Sequence, residues 1–401
     1  MENERTHEDH TIYLVGGGIA YLAAAAFFIR DGDVKGHNIH SLEESSKIGG
    51  SLDAAGSAEN GYTMRGGRMI ESKYLCMFDL FSSIPTLEDR MTIIEEIFEW
   101  HKTMKTASRS RLFQDGKSVD APAFGLSEGP ILTIESLEVE PEALLGRSSI
   151  ADQFESSFFE TDFWFMWCTT FAFQRWHSAV EFKRYLVRFT HMVTGFNTLS
   201  GIMRTVYNQY DSLVRPLQRW LEDRGVQFRY NPRVVDLDLL HDGSGYTVQR
   251  IVCEEQGRSA ALQGAEKDFV LVTLGSMTEG SRLGSMDAAP VLGNGSDGGS
   301  WALWEKIAAR QSGCGKPSNF TDHVDQSKWA SFTTTLHVPS LFRLIRDLTG
   351  NASGEGGLIT FRDSNWLASI VLPHQPHFLG QPEDVNVCRV MGFRSTTWET
   401  S

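Results

Sequence analysis

Cysteine is scarce in this 401-residue sequence: five residues (Cys76, Cys168, Cys253, Cys314 and Cys388), far apart, odd in number, with no CxxC pair. That pattern argues against a disulfide framework or a zinc site and favours reduced thiols in a cytoplasmic protein. Long apolar runs are missing too. The longest, residues 21–29, is about half of the ~20 residues that a membrane-spanning helix needs. The opening stretch MENERTHEDH has no basic segment leading an apolar one, so a secretory signal is not expected. Positive charge is in deficit, 37 Lys and Arg against 51 Asp and Glu, for a net charge of −14. Nucleic acid is therefore a poor candidate partner, because a phosphate-binding surface needs clustered positive charge. What is present is ordinary globular composition, 41% hydrophobic and 22% charged, in a chain long enough for two or three domains.

The first organised segment is a short β-prone run, residues 11–15, that meets Gly16-Gly17-Gly18. An alanine-rich helix over 20–30 and a second strand over 38–42, ending at Glu43-Glu44, follow. Strand, glycine turn, helix, strand and acid is the order of a βαβ dinucleotide unit. Gly49-Gly50 and then YTMRGGRM (62–69) supply further glycine turns, the second carrying Arg65 and Arg68. Residues 76–200 read mainly as helix, with apolar spacing over 91–105 and 178–192 and an aromatic-rich stretch over 154–173. An amphipathic helix is expected over 210–223, alternating strands over 226–239 and 246–254, and a buried parallel strand over 268–275. The Gly/Ser/Asp-rich stretch 285–300 reads as a linker, with strands of a second sheet over 331–337, 358–361 and 366–372.

Gly16 and Gly18 let the backbone turn tightly and let a pyrophosphate approach a helix N-terminus, where free N–H groups and the dipole favour anions. Tyr21 stands where the dinucleotide fingerprint has Gly or Ala. Glu43 ends the second strand, where a carboxylate can accept from both ribose hydroxyls; the plain alternative is a glycine turn with an exposed acid. Arg65, Gly66, Gly67 and Arg68 form either a loop that clamps an anion or an ordinary polar hairpin turn. Tyr185 lies on the apolar stripe of its helix, which by itself favours a core tyrosine with its hydroxyl satisfied locally. His177, beside Trp176, is an acid–base candidate or a structural hydrogen-bonding group.

Ten strings, GGGIAYLAAAAFFIRDG, NIHSLEE, GGSLD, YTMRGGRM, FWFMWCTTFAFQRWHSAVEFKRY, YNQYDS, VTLGSMTEGS, GGSWALWEKIA, DSNW and PHQPHF, together resemble the oleate hydratase family, also called myosin-cross-reactive antigens, from about Thr11 to Gly392. The resemblance implies an FAD-dependent hydratase that adds water across the cis double bond of oleate to give 10-hydroxystearate, with the flavin in a non-redox role. It implies FAD contacts at Gly16, Gly18, Glu43 and the loop Arg65, Gly66, Gly67, Arg68, and it makes Tyr185 the acid that protonates the alkene. Its substrate class is the unsaturated fatty acid, oleate or linoleate, with no metal. Peripheral membrane contact to extract the fatty acid and a homodimer are compatible with it.

Two departures from the family pattern stand out. Many members carry a Glu directly after RGGR, assigned to the water; here Met69 occupies it, and a thioether neither takes a proton nor holds water strongly. Glu71, two residues on, is the nearest carboxylate. Family members also continue beyond the point where the matching stops near Gly392, and the tail FRSTTWETS has no counterpart in them. The expectation for this chain alone is weak FAD binding, a tendency to associate and little hydration, with fatty acid still held by the region carrying Trp164, Trp167 and Trp176. The architecture expected is α/β: a doubly wound, Rossmann-like FAD-binding domain discontinuous in sequence (11–80 and 205–280), a helical substrate domain (81–204) and its β-rich part (290–400). Two other readings are a catalytically impaired flavin- or lipid-binding paralogue and a flavin oxidoreductase of the amine-oxidase kind.

Overall fold

The computed structural model describes residues 10–119, 124–275, 278–291, 293, 299–327 and 329–393. The tail from residue 394, and residues 292 and 294–298 of the stretch 285–300 read as a linker, lie outside these. Four short strands make a parallel sheet in the spatial order Phe269–Val272, Ile12–Val15, Ile39–Glu43, Gln227–Tyr230. Ile12 pairs with both Phe269 and Ile39, so the first strand is central. Its side chains alternate between two apolar layers. Ile12 and Leu14 pack with Leu22, Ala25 and Ala26 of the helix Ile19–Arg30, whereas Tyr13 and Val15 face Leu303 and Ile307 of the helix Gly299–Arg310. A strand buried on both faces needs apolar residues at consecutive positions, which is why Ile12–Val15 is a continuous apolar run.

A three-stranded antiparallel meander, Arg233–His241, Tyr246–Glu255 and Arg258–Gln263, lies beside this sheet. The alternating stretch 226–239 is two strands, not one: Asn231, at φ +75°, turns the chain between Gln227–Tyr230 and Arg233–His241. The helix Gly299–Arg310 packs on the meander and the parallel sheet, although it lies within the stretch 290–400 expected to be β-rich. The helix Ile93–Thr103, started by a Thr92–Glu95 capping box, buries Ile93, Ile94 and Ile97 in the same core as Ile12.

The second sheet is six-stranded, in the order Trp329–Leu336, Asn386–Phe393, Ser369–Val371, Ile359–Phe361, Leu112–Gln114, Lys117–Val119. Its last two strands come from the segment read as helical, and Leu112–Gln114 joins Ile359–Phe361 in parallel. Against it sits an aromatic core from the helices Asp162–Phe171 and Ala179–Phe189, with Phe158, Phe163, Trp167 and Phe182 almost fully buried. The architecture is mixed α/β, with one parallel and several antiparallel or mixed sheets. No helix among the described residues is long and apolar enough to cross a membrane.

Candidate functional site

Gly16 takes φ +124°, and a Cβ there would sit 2.7 Å from the Tyr21 ring. Tyr21, buried, fills the volume that a larger residue at 16 would need, so the departure from a small residue at 21 is compensated at Gly16. Gly18 precedes the helix Ile19–Arg30 with no side-chain cap and no acidic residue in the first turn, and a Cβ on it would meet nothing within 4 Å. The helix start is therefore open and electropositive. Glu43 lies beside it: Oε1 accepts from Ser45 N–H at 2.8 Å and from the Ser45 hydroxyl at 2.6 Å, and Oε2 lies 2.8 Å from where a Gly17 Cβ would be.

From there a continuous line of backbone leads away from the sheet. Gly49 N–H donates to Gly17 O at 2.9 Å, and Gly50 packs on Gly18. Tyr210 lies against Gly49, and its neighbour Gln209 grips the arginine–glycine loop. Gln209 accepts from Arg68 N–H at 2.7 Å and donates back to Arg68 O. That two-way clamp was not singled out by sequence reasoning; its only signal was the string YNQYDS.

The loop opens onto a cavity of about 710 Å³, within the range of small-molecule sites. Gly66, Gly67, Arg68, Met69 and Glu71 line it, as does Tyr185. Arg65 does not: it turns away to an ion pair with Asp53 at 3.2 Å. Gly16, Gly18 and Glu43 likewise lie outside the cavity, at the far end of the glycine line. Trp164 and Trp167 belong to the buried aromatic core rather than to the cavity wall, and Trp176 is not on the wall either; the aromatic lining includes Phe171, Phe189, Phe196, Trp100 and Trp329.

Tyr185 is held by edge-on contacts with Phe171 and Phe173, ring centroids 5.2 and 5.1 Å away. Burial raises its phenol above the ordinary value, Glu181 and Tyr74 add to this, and Arg188 and Arg68 oppose it. The cavity's charge is the reverse of the protein's. Arg68, Arg204 and Arg389 line it, and among the described residues none of them pairs with a carboxylate. Burial pushes Arg204 and Arg389 down to about 10, so both stay cationic at neutral pH. Arg204 donates to Gly356 O at 2.6 Å; Arg389 donates to Arg65 O, and its Nε is buried without a partner. A desolvated guanidinium without a counter-charge is costly, so this cavity is suited to an anion. His177 is elsewhere. Burial, with His323 adding, lowers it to about 4, and its Nδ1 accepts from Gln174 N–H at 3.3 Å, a structural role.

Known proteins share this chain's sequence over most of its length. An oleate hydratase of Streptococcus pyogenes serotype M49 is 35% identical over 400 residues, which is 97% of this chain and 67% of that protein. A linoleate hydratase of Lactiplantibacillus plantarum is 30% identical, covering 93% of this chain and 71% of the relative. Among solved structures, an oxidoreductase from Methanosarcina mazei aligns with a TM-score of 0.52 over 96% of this chain and 80% of its own, at 11% identity, a likeness of fold alone. The model of the MCRA family matches residues 9–398, and the chain belongs to that family.

Proposed function

We propose that this protein is a hydro-lyase acting on unsaturated fatty acids: it adds water across the cis-9 double bond of oleate, giving 10-hydroxystearate. The observation that carries the reading is the meeting of Tyr185 with the Gly66–Arg68 loop in one largely apolar cavity whose buried cations lack counter-charges. An alkyl chain fits apolar walls, a carboxylate fits unpaired guanidinium, and a phenol among aromatic rings is placed to give up a proton in a dry site. The names of the two hydratase relatives support the same substrate class.

FAD is the cofactor in this reading, on a discontinuous domain of residues 11–80 and 205–280, with 81–204 and 290–400 building the substrate side. The residues fit it: an uncapped helix start at Gly18 for pyrophosphate, Glu43 for ribose hydroxyls, and the clamped loop and the orphaned Arg389 Nε where the glycine line reaches the cavity. Hydration is redox-neutral, so the flavin supplies shape and fixed charge rather than electrons. Arg65, paired with Asp53, holds the loop's first residue in place. If the adenosine half lies on the Gly16–Glu43 unit, Glu43→Ala should weaken FAD binding by about 1–3 kcal/mol, the worth of charge-assisted hydrogen bonds. An unchanged titration would place the ribose elsewhere.

A second reading, a lipid- and flavin-binding protein without turnover, is favoured by one observation: Met69 lies on the cavity wall where many family members carry a Glu. The deciding experiment supplies FAD and oleate to this chain, and to one continued with the streptococcal relative's remaining region, and follows 10-hydroxystearate by mass spectrometry. Product without consumption of an electron acceptor supports the hydratase and removes the oxidoreductase reading. Tight oleate binding with no product in either protein would leave the binding-protein reading.

A further inference from the structure

Hydration needs two proton transfers, one onto carbon and one off the attacking water, and Met69 can serve neither, having no proton to give and no basic site to take one. Glu71 is 2% exposed, and it lies in the wall between two cavities. One is the apolar cavity that holds Tyr185. The other, about 210 Å³, is lined by Ser72, His191, Thr194 and Ser200 and shares only Glu71 and Met192 with the first. Glu71 Oε2 accepts from Lys73 N–H at 2.8 Å and lies 3.2 Å from His191 Nε2, while Oε1 has no donor among the described residues. His191 is exposed and reaches toward solvent. A carboxylate oxygen without a protein donor at a cavity wall is free to accept from water, and a polar hollow of this size readily holds one.

We infer that Glu71 is the group that takes the proton from the attacking water, fed through the small polar cavity and held in position by His191. This rests on the hydratase reading. The Tyr185 O–H bond breaks as the new C–H bond forms, leaving positive charge on the neighbouring carbon. Water oxygen bonds to that carbon, and one of its O–H bonds breaks with the proton passing to Glu71 Oε1. Solvent protons then return Tyr185 to the phenol while Glu71 releases its own, so the sum is alkene plus water to alcohol. Tyr74, which also lines the apolar cavity, lies within electrostatic reach of both Glu71 and Tyr185, and the Arg188 guanidinium sits over its ring, 4.9 Å from the centroid, so the acid and base ends share one wall. His191 is a positioning residue: its contact with Oε2 keeps Oε1 as the open acceptor.

The test uses the FAD-supplied protein, oleate, and H2(18)O to track the entering oxygen. Glu71→Gln keeps the side-chain shape and should lower kcat by about 10²–10⁴-fold, the span of general base catalysis, with KM little changed. Glu71→Gly should fall as far, and added formate should restore at least a tenth of the lost turnover by occupying the vacated site. His191→Ala should lower kcat without moving KM, and His191→Gln, which keeps an N–H donor, should recover most of it. Full turnover in Glu71→Gln overturns the inference and leaves the hydratase reading standing. Failure of formate to rescue a Glu71→Gly protein that still binds oleate overturns it as well. An unmutated protein that binds oleate and incorporates no labelled oxygen overturns both.

Discussion

Tyr185→Phe should leave the fold in place and remove most turnover, about 10²–10⁴-fold, the range for loss of a positioned general acid. Its ring stays wedged between Phe171 and Phe173, so the aromatic packing survives. In the hydratase reading the hydroxyl serves turnover rather than folding, and the change in stability should be about 1 kcal/mol or less. Burial holds the phenol protonated at neutral pH, which keeps a proton available to an incoming alkene. Arg188 and Arg68, which oppose that rise, are also the charges that would steady a phenolate in the proposed reaction. The check pairs hydroxy-acid production with an oleate binding titration. Loss of turnover with retained binding is the expected pair; near-full turnover would reduce Tyr185 to a packing residue.

Acid should destabilise the protein over a defined window. His177, lowered to about 4, and His377, lowered to about 3, are both kept neutral in the fold chiefly by burial, with His323 adding to the first and Arg204 to the second. From an ordinary value of 6.5 downward, the unfolded chain binds protons that the folded chain refuses. Stability is therefore present above pH 6.5 and lost as pH falls toward 4 and then 3. At about 1.4 kcal/mol per unit, the lowering from 6.5 to about 4 makes His177 account for about 3 kcal/mol and that to about 3 makes His377 account for about 5 kcal/mol, enough together to approach a typical total stability. Melting temperatures between pH 7 and pH 4 should drop steeply, and a His177→Gln, His377→Leu double variant should flatten the slope. An equal slope in both proteins would assign acid sensitivity to other groups.

The chemistry that could be read along the chain is chemistry carried by adjacent residues. Gly16, Gly18 and the helix after them form one local turn, so strand, glycine and helix signals all fall within about twenty residues, and Glu43 closes the same unit. The arginine–glycine loop was legible as a loop, but not the different fates of its arginines. Arg65 turns to Asp53 and Arg68 to the cavity because of Asp53 and Gln209, which lie before the loop and 141 residues beyond Arg68. Arg204, Arg389 and the Glu71–His191 pair are likewise brought together from distant segments, and no periodicity marks them. The strands Leu112–Gln114 and Lys117–Val119 escaped a helical reading of 76–200 because three-residue strands carry too little alternation to register. Trp164 and Trp167 mark the region expected to hold fatty acid yet lie in its core and not on the cavity wall: aromatic content signals burial but not which side of a wall is buried.

The parallel sheet places a delay on synthesis. Ile12–Val15 emerges early, yet one of its flanking partners, Phe269–Val272, lies about 257 residues later, and Gln227–Tyr230 on the other side of Ile39–Glu43 is nearly as late. At about 5–20 residues per second, the first strand waits roughly 13–50 s on the ribosome before that edge can close. During that interval Ile12, Leu14 and Ile39, among the most deeply buried residues of the finished protein, have early helices such as Ile19–Arg30 and Ile93–Thr103 for cover, but the first strand has a single paired neighbour. The six-stranded sheet closes later still, since Leu112–Gln114 needs Ile359–Phe361, which emerges after Phe269–Val272. Such a nascent chain exposes unpaired apolar strands for most of its translation, which makes its yield sensitive to elongation rate and to holding chaperones even where the completed fold is stable.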